Sequence, residues 1–195
     1  MVAVLRLGKT EQAITEILGV AEHVVSIAAA AEGLRLRADV PSGPVGAPTE
    51  LVDLDAAVPA ECEASLGQIR AWSRERLGVD HVPAFWRALA RKPRLLVSVW
   101  EKHRLVLGAA ELDEDLKVAV ALAAAMNKHS DYWTSYFAAL GRTGHRFDDE
   151  IVVEIAGAVL HYTSFNTISH GMMLEAPHTE IVAKEFAPDA PAGTE

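Results

Sequence analysis

Residues 112–140 read LDEDLKVAVALAAAMNKHSDYWTSYFAAL, and this stretch contains two consecutive helical patterns. Asp113 is a suitable N-cap for the first helix, which is rich in alanine and is expected to end near Asn127. A second helix is expected from about Ser130 to Leu140 and is followed by glycines. One set of apolar side chains on the first helix is expected to face the core: Leu116, Ala119, Val120, Ala123 and Met126.

Helical spacing continues on both sides of this stretch. Upstream, we expect helices over residues 10–36, 59–78, 83–90 and 93–108, each bounded by a capping residue, a proline or a glycine. Downstream, Asp148 is a suitable cap for a long helix whose apolar content predicts deep burial. No long period-two alternation favours strands, so the sequence predicts an all-α bundle of about six to eight helices.

A segment rich in proline and glycine divides the predicted elements. Residues 38–59 contain three prolines and two glycines before the proline at position 59, and a loop of this length is uncommon inside a compact domain. We therefore expect an N-terminal helical arm with its connector over residues 1–58, a helical domain over residues 59–187 and a disordered tail over residues 188–195.

Composition excludes several classes of function. The chain has 195 residues, a formal net charge of −9 and no cluster of Lys and Arg, which disfavours nucleic acid as a partner. Cys62 is the single cysteine, so intrachain disulfides and Cys-x-x-Cys sites are excluded. We expect no signal peptide, no transmembrane segment, no membrane partner and a cytoplasmic location. Half of the residues are hydrophobic, which favours self-association into a homo-oligomer.

The order of motifs between residues 82 and 166 points to a family. A VPAFW sequence at 82–86 precedes the alanine-rich helix within 112–127, and Gly144 and the acidic residues 148–150 precede a Phe-Asn pair at 165–166. This pattern resembles the carboxymuconolactone decarboxylase and alkylhydroperoxidase D superfamily. The resemblance implies that superfamily's helical bundle, a small-molecule substrate and a dimer, trimer or hexamer.

The residues at the family's active-site positions differ in chemistry. Alignment at Asn127 places the two thiol positions at His129 and Tyr132, the family histidine at Tyr136 and the assisting glutamate near Lys117. A dithiol peroxidase needs one thiolate to attack the peroxide and a second thiol to resolve the sulfenic acid. We therefore do not expect alkylhydroperoxidase activity, although a lyase or decarboxylase-like reaction stays open.

His129, Tyr132 and Tyr136 are the leading catalytic candidates, because their i, i+3 and i+7 spacing would place them on one helix face. A histidine can exchange a proton near neutral pH, and a phenol can donate a hydrogen bond to a developing oxyanion. His103, on the preceding helix of the family pattern, is a fourth candidate. The alternative is that these side chains form an aromatic core. The candidates for substrate binding are Trp133, Tyr162, Asn166 and His170.

Two functions from different classes follow. The first is an enzyme that acts on a small organic substrate by general acid/base chemistry, with His129 as the proton-transfer group. The second is a ligand-binding or assembly protein on the same scaffold without catalysis. A one-cysteine peroxidase at Cys62 is a third alternative. The sequence contains no motif for a metal or a dinucleotide cofactor, and we expect neither.

Overall fold

A computed structural model describes residues 10–41, 43 and 50–172. Within these residues the chain forms seven α-helices and a 3-10 turn at Ala60–Cys62, with no strand. The α-helices are α1 (Glu11–Gly33), α2 (Glu63–Arg76), α3 (Ala84–Leu89), α4 (Pro93–Leu107), α5 (Glu114–Asn127), α6 (Asp131–Gly144) and α7 (Asp149–Gly171). The prediction of an all-α bundle of six to eight helices is confirmed.

Local capping explains where several helices begin. The side chains of Thr10, Asp113 and Asp148 each accept a hydrogen bond from the backbone N–H three residues later, at 3.0, 2.8 and 2.9 Å. Each bond satisfies one of the donors that the first helical turn leaves without an internal partner. Pro93 occupies the first turn of α4, where its missing N–H costs no hydrogen bond.

Helix α1 belongs to the same core as the helices that follow the connector. It packs against α4, α5 and α6, and Val20, Val24 and Ile27 are part of the buried cluster. We expected residues 1–58 to form an arm outside a core that begins at residue 59, but α1 packs against the core helices. The chain instead divides into two compact units, Met1–Val159 and Leu160–Glu195, and the expected tail at 188–195 lies outside the described residues.

Helix α5 buries a lysine that forms an ion pair with α1. Lys117 is 2% exposed, its Nζ lies 2.8 Å from Glu16 Oε2, and it donates to the Gly108 carbonyl at 2.7 Å. Leu116, which we expected to face inward, is 37% exposed. The predicted inward face of α5 is therefore wrong at Leu116, whereas Ala119, Val120 and Met126 are partly buried and pack against the core. Its buried residues are Lys117, Val118, Ala121, Leu122 and Ala125.

Helix α7 is apolar, yet none of its residues is buried. The prediction of deep burial is therefore wrong. By length and composition alone, α1 and α7 could each cross a membrane, but core helices pass the same test and seven residues of α1 are buried. The expectations of no transmembrane segment and of a cytoplasmic location stay predictions.

Candidate functional site

Two histidines and a tyrosine from three helices form a buried chain of side chains. His103 of α4 lies between them, with its Nδ1 3.2 Å from His23 Nε2 and its Nε2 3.3 Å from the Tyr136 hydroxyl. Either tautomer of His103 can make these contacts, with donor and acceptor exchanged. Both ring nitrogens of His103 are therefore occupied. We call this arrangement the His23–His103–Tyr136 chain.

Burial keeps the groups of this chain uncharged near neutral pH. It lowers the pKa of His103 well below its usual value and lowers the pKa of His23 from 6.5 to about 4, with Lys102 adding to the shift at His23. Burial also raises the pKa of Tyr136 well above 10. The imidazoles are neutral and the phenol keeps its proton at pH 7.

Aromatic rings enclose the His103 imidazole, which has no exposed surface. The enclosing rings, with centroids between 5.1 and 6.3 Å from that of His103, are Trp72, Trp86, Trp100, Trp133, Tyr136 and Phe137. Trp133, a predicted substrate-binding residue, is fully buried and donates its indole N–H to the Ile27 carbonyl at 3.0 Å. This environment is that of an aromatic core.

Tyr132 has partners that differ from those of Tyr136. Its hydroxyl accepts the Phe85 backbone N–H at 2.9 Å, while the neighbouring Ala84 N–H donates to Asp39 Oδ2 at 2.7 Å. Burial raises the pKa of Asp39, and the hydrogen bond from the Ala84 N–H and the positive charge of Arg87 oppose the rise. Burial, reinforced by the charge of Asp39, raises the pKa of Tyr132 well above 10. The two tyrosines of α6 therefore serve different clusters.

His129 differs from both tyrosines in its exposure to solvent. It occupies the turn between α5 and α6 with a φ of 53° and is exposed, whereas Tyr132 and Tyr136 are buried. Helix α6 begins at Asp131, and Ser130 is its N-cap. The predicted helix face shared by the three residues is wrong, because His129 precedes the helix.

Tyr162, Asn166 and His170 lie in the second compact unit, on α7. They keep the i, i+4 and i+8 spacing that places them on one helix face, and all three are exposed. Their predicted role in substrate binding stays a prediction.

Cys62 is buried, and its thiol donates to the Ala90 carbonyl at 3.4 Å. Burial raises the pKa of this thiol, and the negative charge of Glu61 raises it further. Both effects disfavour the thiolate that peroxide chemistry requires.

A cleft of about 180 Å³ reaches the edge of the aromatic rings that enclose His103. Trp72 lines it together with two arginines, Arg76 and Arg104, and the carboxylate of Glu114, and His103 lies beside it without exposed surface. Arg76 forms an ion pair with Glu114, and Arg104 Nη2 lies 3.4 Å from Glu101 Oε2. We call this feature the Trp72 cleft.

No family model, no curated protein and no solved structure matches this chain. The resemblance drawn from the sequence motifs therefore stays a prediction. Among the residues that the structure describes, no three His, Cys, Asp or Glu side chains are grouped so as to hold a metal ion.

The arrangement includes two residues that sequence reasoning did not select. His23 falls on α1, within the segment that we interpreted as an arm, and Asp39 lies in the connector. The one signal that the sequence offered for His23 was its position on an otherwise apolar predicted helix. No signal in the sequence distinguished Asp39 from the other acidic residues of the loops.

Proposed function

We propose that this protein binds a small organic acid in the Trp72 cleft and that the His23–His103–Tyr136 chain supports the floor of this cleft without catalysis. Two observations carry the proposal: Trp72 and two guanidinium groups line the cleft, and both ring nitrogens of His103 are occupied. A general base needs a nitrogen lone pair within hydrogen-bonding reach of the ligand, and His103 offers none while both contacts persist.

The guanidinium groups of the cleft favour an anionic ligand. Arg76 and Arg104 line the cleft and are paired with Glu114 and Glu101 respectively, and guanidinium groups bind carboxylates through paired hydrogen bonds. Trp72 adds an apolar ring surface. A volume of about 180 Å³ corresponds to about six water molecules at about 30 Å³ each, which suits a small acid.

Benzoate and benzamide test this proposal as a matched pair, because they differ in charge and hardly in size. We expect titration calorimetry to show benzoate binding at least tenfold more tightly than benzamide, and Arg104→Gln to remove that preference. Arg142→Gln is the matched control, since Arg142 is exposed on α6 and does not line the cleft. Equal binding of the two compounds, or an unchanged preference in Arg104→Gln, would contradict the proposal.

Acid/base catalysis, the leading hypothesis from the sequence, is the second candidate. Its support is that three exchangeable groups are linked in series and that one of them, His103, lies beside the cleft. A hydrogen-bonded imidazole can accept a proton at one nitrogen and release another from its second nitrogen.

Hydrogen exchange distinguishes the two candidates. NMR in D₂O measures exchange of the methyl hydrogens of pyruvate, a small keto acid that serves as the probe. Catalysis through the chain predicts exchange above the buffer rate that is lost in Tyr136→Phe and retained in His129→Asn. Exchange at the buffer rate in the wild type, with intact benzoate binding, supports the binding function alone.

Self-association accompanies either function in our proposal. The support is that α7 has no buried residue and exposes large apolar side chains, among them Val153, Leu160 and Phe165, and exposed apolar patches often mark protein–protein contacts. Light scattering coupled to size-exclusion chromatography should give a mass at least twice the 21.0 kDa of one chain. A monomer at micromolar concentration would contradict this part of the proposal.

A further inference from the structure

A second cavity, of about 500 Å³, lies between the loop at residues 50–55 and the first turn of α3. Its volume falls within the range of about 300–1,000 Å³ that is typical of small-molecule sites. Its walls combine apolar side chains, including Leu51 and Leu54, with charged side chains of both signs. We call it the Arg87 cavity after the cation described next.

Arg87 presents hydrogen-bond donors that are not used within the described part of the chain. Its Nη1 lies 3.6 Å from Asp55 Oδ1 and its Nη2 lies 3.8 Å from Asp39 Oδ2, and both distances exceed that of a hydrogen bond. Its Nε is buried and has no hydrogen-bond partner, and the same is true of Asp39 Oδ1. Buried polar groups normally have partners, so this guanidinium is suited to a ligand that accepts hydrogen bonds.

The other charges of the cavity restrict the kind of ligand. Arg37 is paired with Glu50 at 2.9 Å, whereas Asp53 and Asp55 are exposed carboxylates on the same wall. A simple anion attracted to Arg87 would also meet these two carboxylates, and a simple cation would meet Arg87. A molecule that carries both charges can contact each group with the favourable sign.

We infer that the Arg87 cavity binds a free α-amino acid with an apolar side chain. The α-carboxylate accepts hydrogen bonds from Arg87, and the α-ammonium group donates to Asp53 or Asp55. The side chain packs against Leu51 and Leu54. This site shares no lining residue with the Trp72 cleft, so the inference does not depend on the function proposed for that cleft.

L-Leucine and two fragments of it test the inference. Isopentylamine lacks the carboxylate and 4-methylpentanoate lacks the amino group. Because the Trp72 cleft can also bind carboxylates, titrations are performed on Arg104→Gln. We expect leucine to bind at least tenfold more tightly than either fragment.

Substitutions on this background then locate the site. Arg87→Gln should weaken leucine at least tenfold, while Arg94→Gln, an exposed arginine that lines neither cavity, should leave leucine binding unchanged. The paired change Asp53→Asn and Asp55→Asn removes two exposed carboxylates and tests the ammonium contact without touching the buried Asp39. It should weaken the binding of leucine at least fivefold without weakening the binding of 4-methylpentanoate.

Three results would overturn the inference: no saturable leucine binding, leucine bound no better than its fragments, or unchanged leucine binding in both the Arg87 and the Asp53/Asp55 variants. A melting temperature near that of the parent shows that each variant is folded. Benzoate binding to the wild-type protein reports on the Trp72 cleft separately, so failure at one site is distinguishable from failure at the other.

Discussion

His23 and His103 are in direct contact, with Nε2 of the first 3.2 Å from Nδ1 of the second, and this contact joins α1 to α4. His23 is 2% exposed and His103 has no exposed surface. Each imidazole therefore depends on the other for a hydrogen bond that water cannot replace. Loss of one partner leaves a buried polar atom unpaired, which costs more than the net value of the bond itself.

Substitution of the two histidines should be strongly non-additive. His23→Leu should lower the free energy of unfolding by about 1–3 kcal/mol, because His103 loses a partner. His103→Leu leaves both His23 and Tyr136 unpaired and should cost more. The double variant should cost at least about 0.5 kcal/mol less than the sum of the single changes. Urea unfolding measures all four proteins, and additive effects would show that the contact is not coupled.

The same histidines should make the protein sensitive to mild acid. The pKa of His23 falls from 6.5 to about 4 on folding and that of His103 also falls, so below pH 6.5 the unfolded chain binds more protons. Their contribution to stability is complete above about pH 6.5. It is lost as the pH falls, by up to about 1.4 kcal/mol per pH unit for each group, and for His23 the loss ends near pH 4.

Melting temperatures between pH 7.5 and pH 4.5 test this sign. His23→Gln keeps a polar side chain but removes one titrating group, so its melting temperature should decline less steeply with acid. His129→Asn is the control, because His129 is exposed and asparagine tolerates its positive φ. If the melting temperature of His23→Gln declined with acid as steeply as that of the wild type, titration of His23 would not cause the acid sensitivity.

Glu16 should affect the stability of the protein at lower pH than the two histidines do. Its pKa is lowered from 4.5 to about 2, first by the hydrogen bond to Lys117, and the Leu112 and Glu111 backbone N–H groups lower it further. Its contribution is therefore complete above about pH 4.5 and is lost as the pH falls towards 2. Glu16→Gln should lower the melting temperature at pH 7 and flatten the acid dependence between pH 4.5 and 2.

Lys117 provides the test of whether this effect comes from the ion pair. In Glu16→Gln the ammonium stays buried without its carboxylate, so adding Lys117→Met should recover part of the lost melting temperature. Glu11→Gln, at the exposed start of α1, should have little effect. A double variant less stable than Glu16→Gln would show that Lys117 stabilises the fold through contacts other than this pair.

The sequence predicts helices well but predicts their buried faces less well. The caps at Thr10, Asp113 and Asp148 are local, and all three are observed. The inward face of α5 is not local. Alanine and valine occur around most of this helix, so periodicity is weak, and the carboxylate that admits Lys117 into the interior comes from α1.

The candidate site shows the same difference between local features, which the sequence predicts, and tertiary contacts, which it does not. Tyr132, Tyr136 and His103 belong to regular helical patterns, and the structure buries all three. The expected position of His129 assumed a helix that continues through residue 129, whereas the turn there has a φ of 53°. Burial of His23 depends on tertiary contacts with other helices, which a linear pattern does not contain.

Gly141 lies inside α6 although glycine favours a helix end, and it gives the last prediction. We expected the helix to end at Leu140, but α6 continues to Gly144. A Cβ at Gly141 would lie 2.3 Å from Phe147 Cδ2, so Gly141→Ala should cost about 1–3 kcal/mol through overpacking. Gly67, in the interior of α2, has no atom within 4 Å of such a Cβ. Gly67→Ala should instead stabilise the protein by about 0.5–1 kcal/mol. Urea unfolding of the two variants should give changes of opposite sign, and a stabilised Gly141→Ala would mean that the Phe147 ring moves aside at little cost.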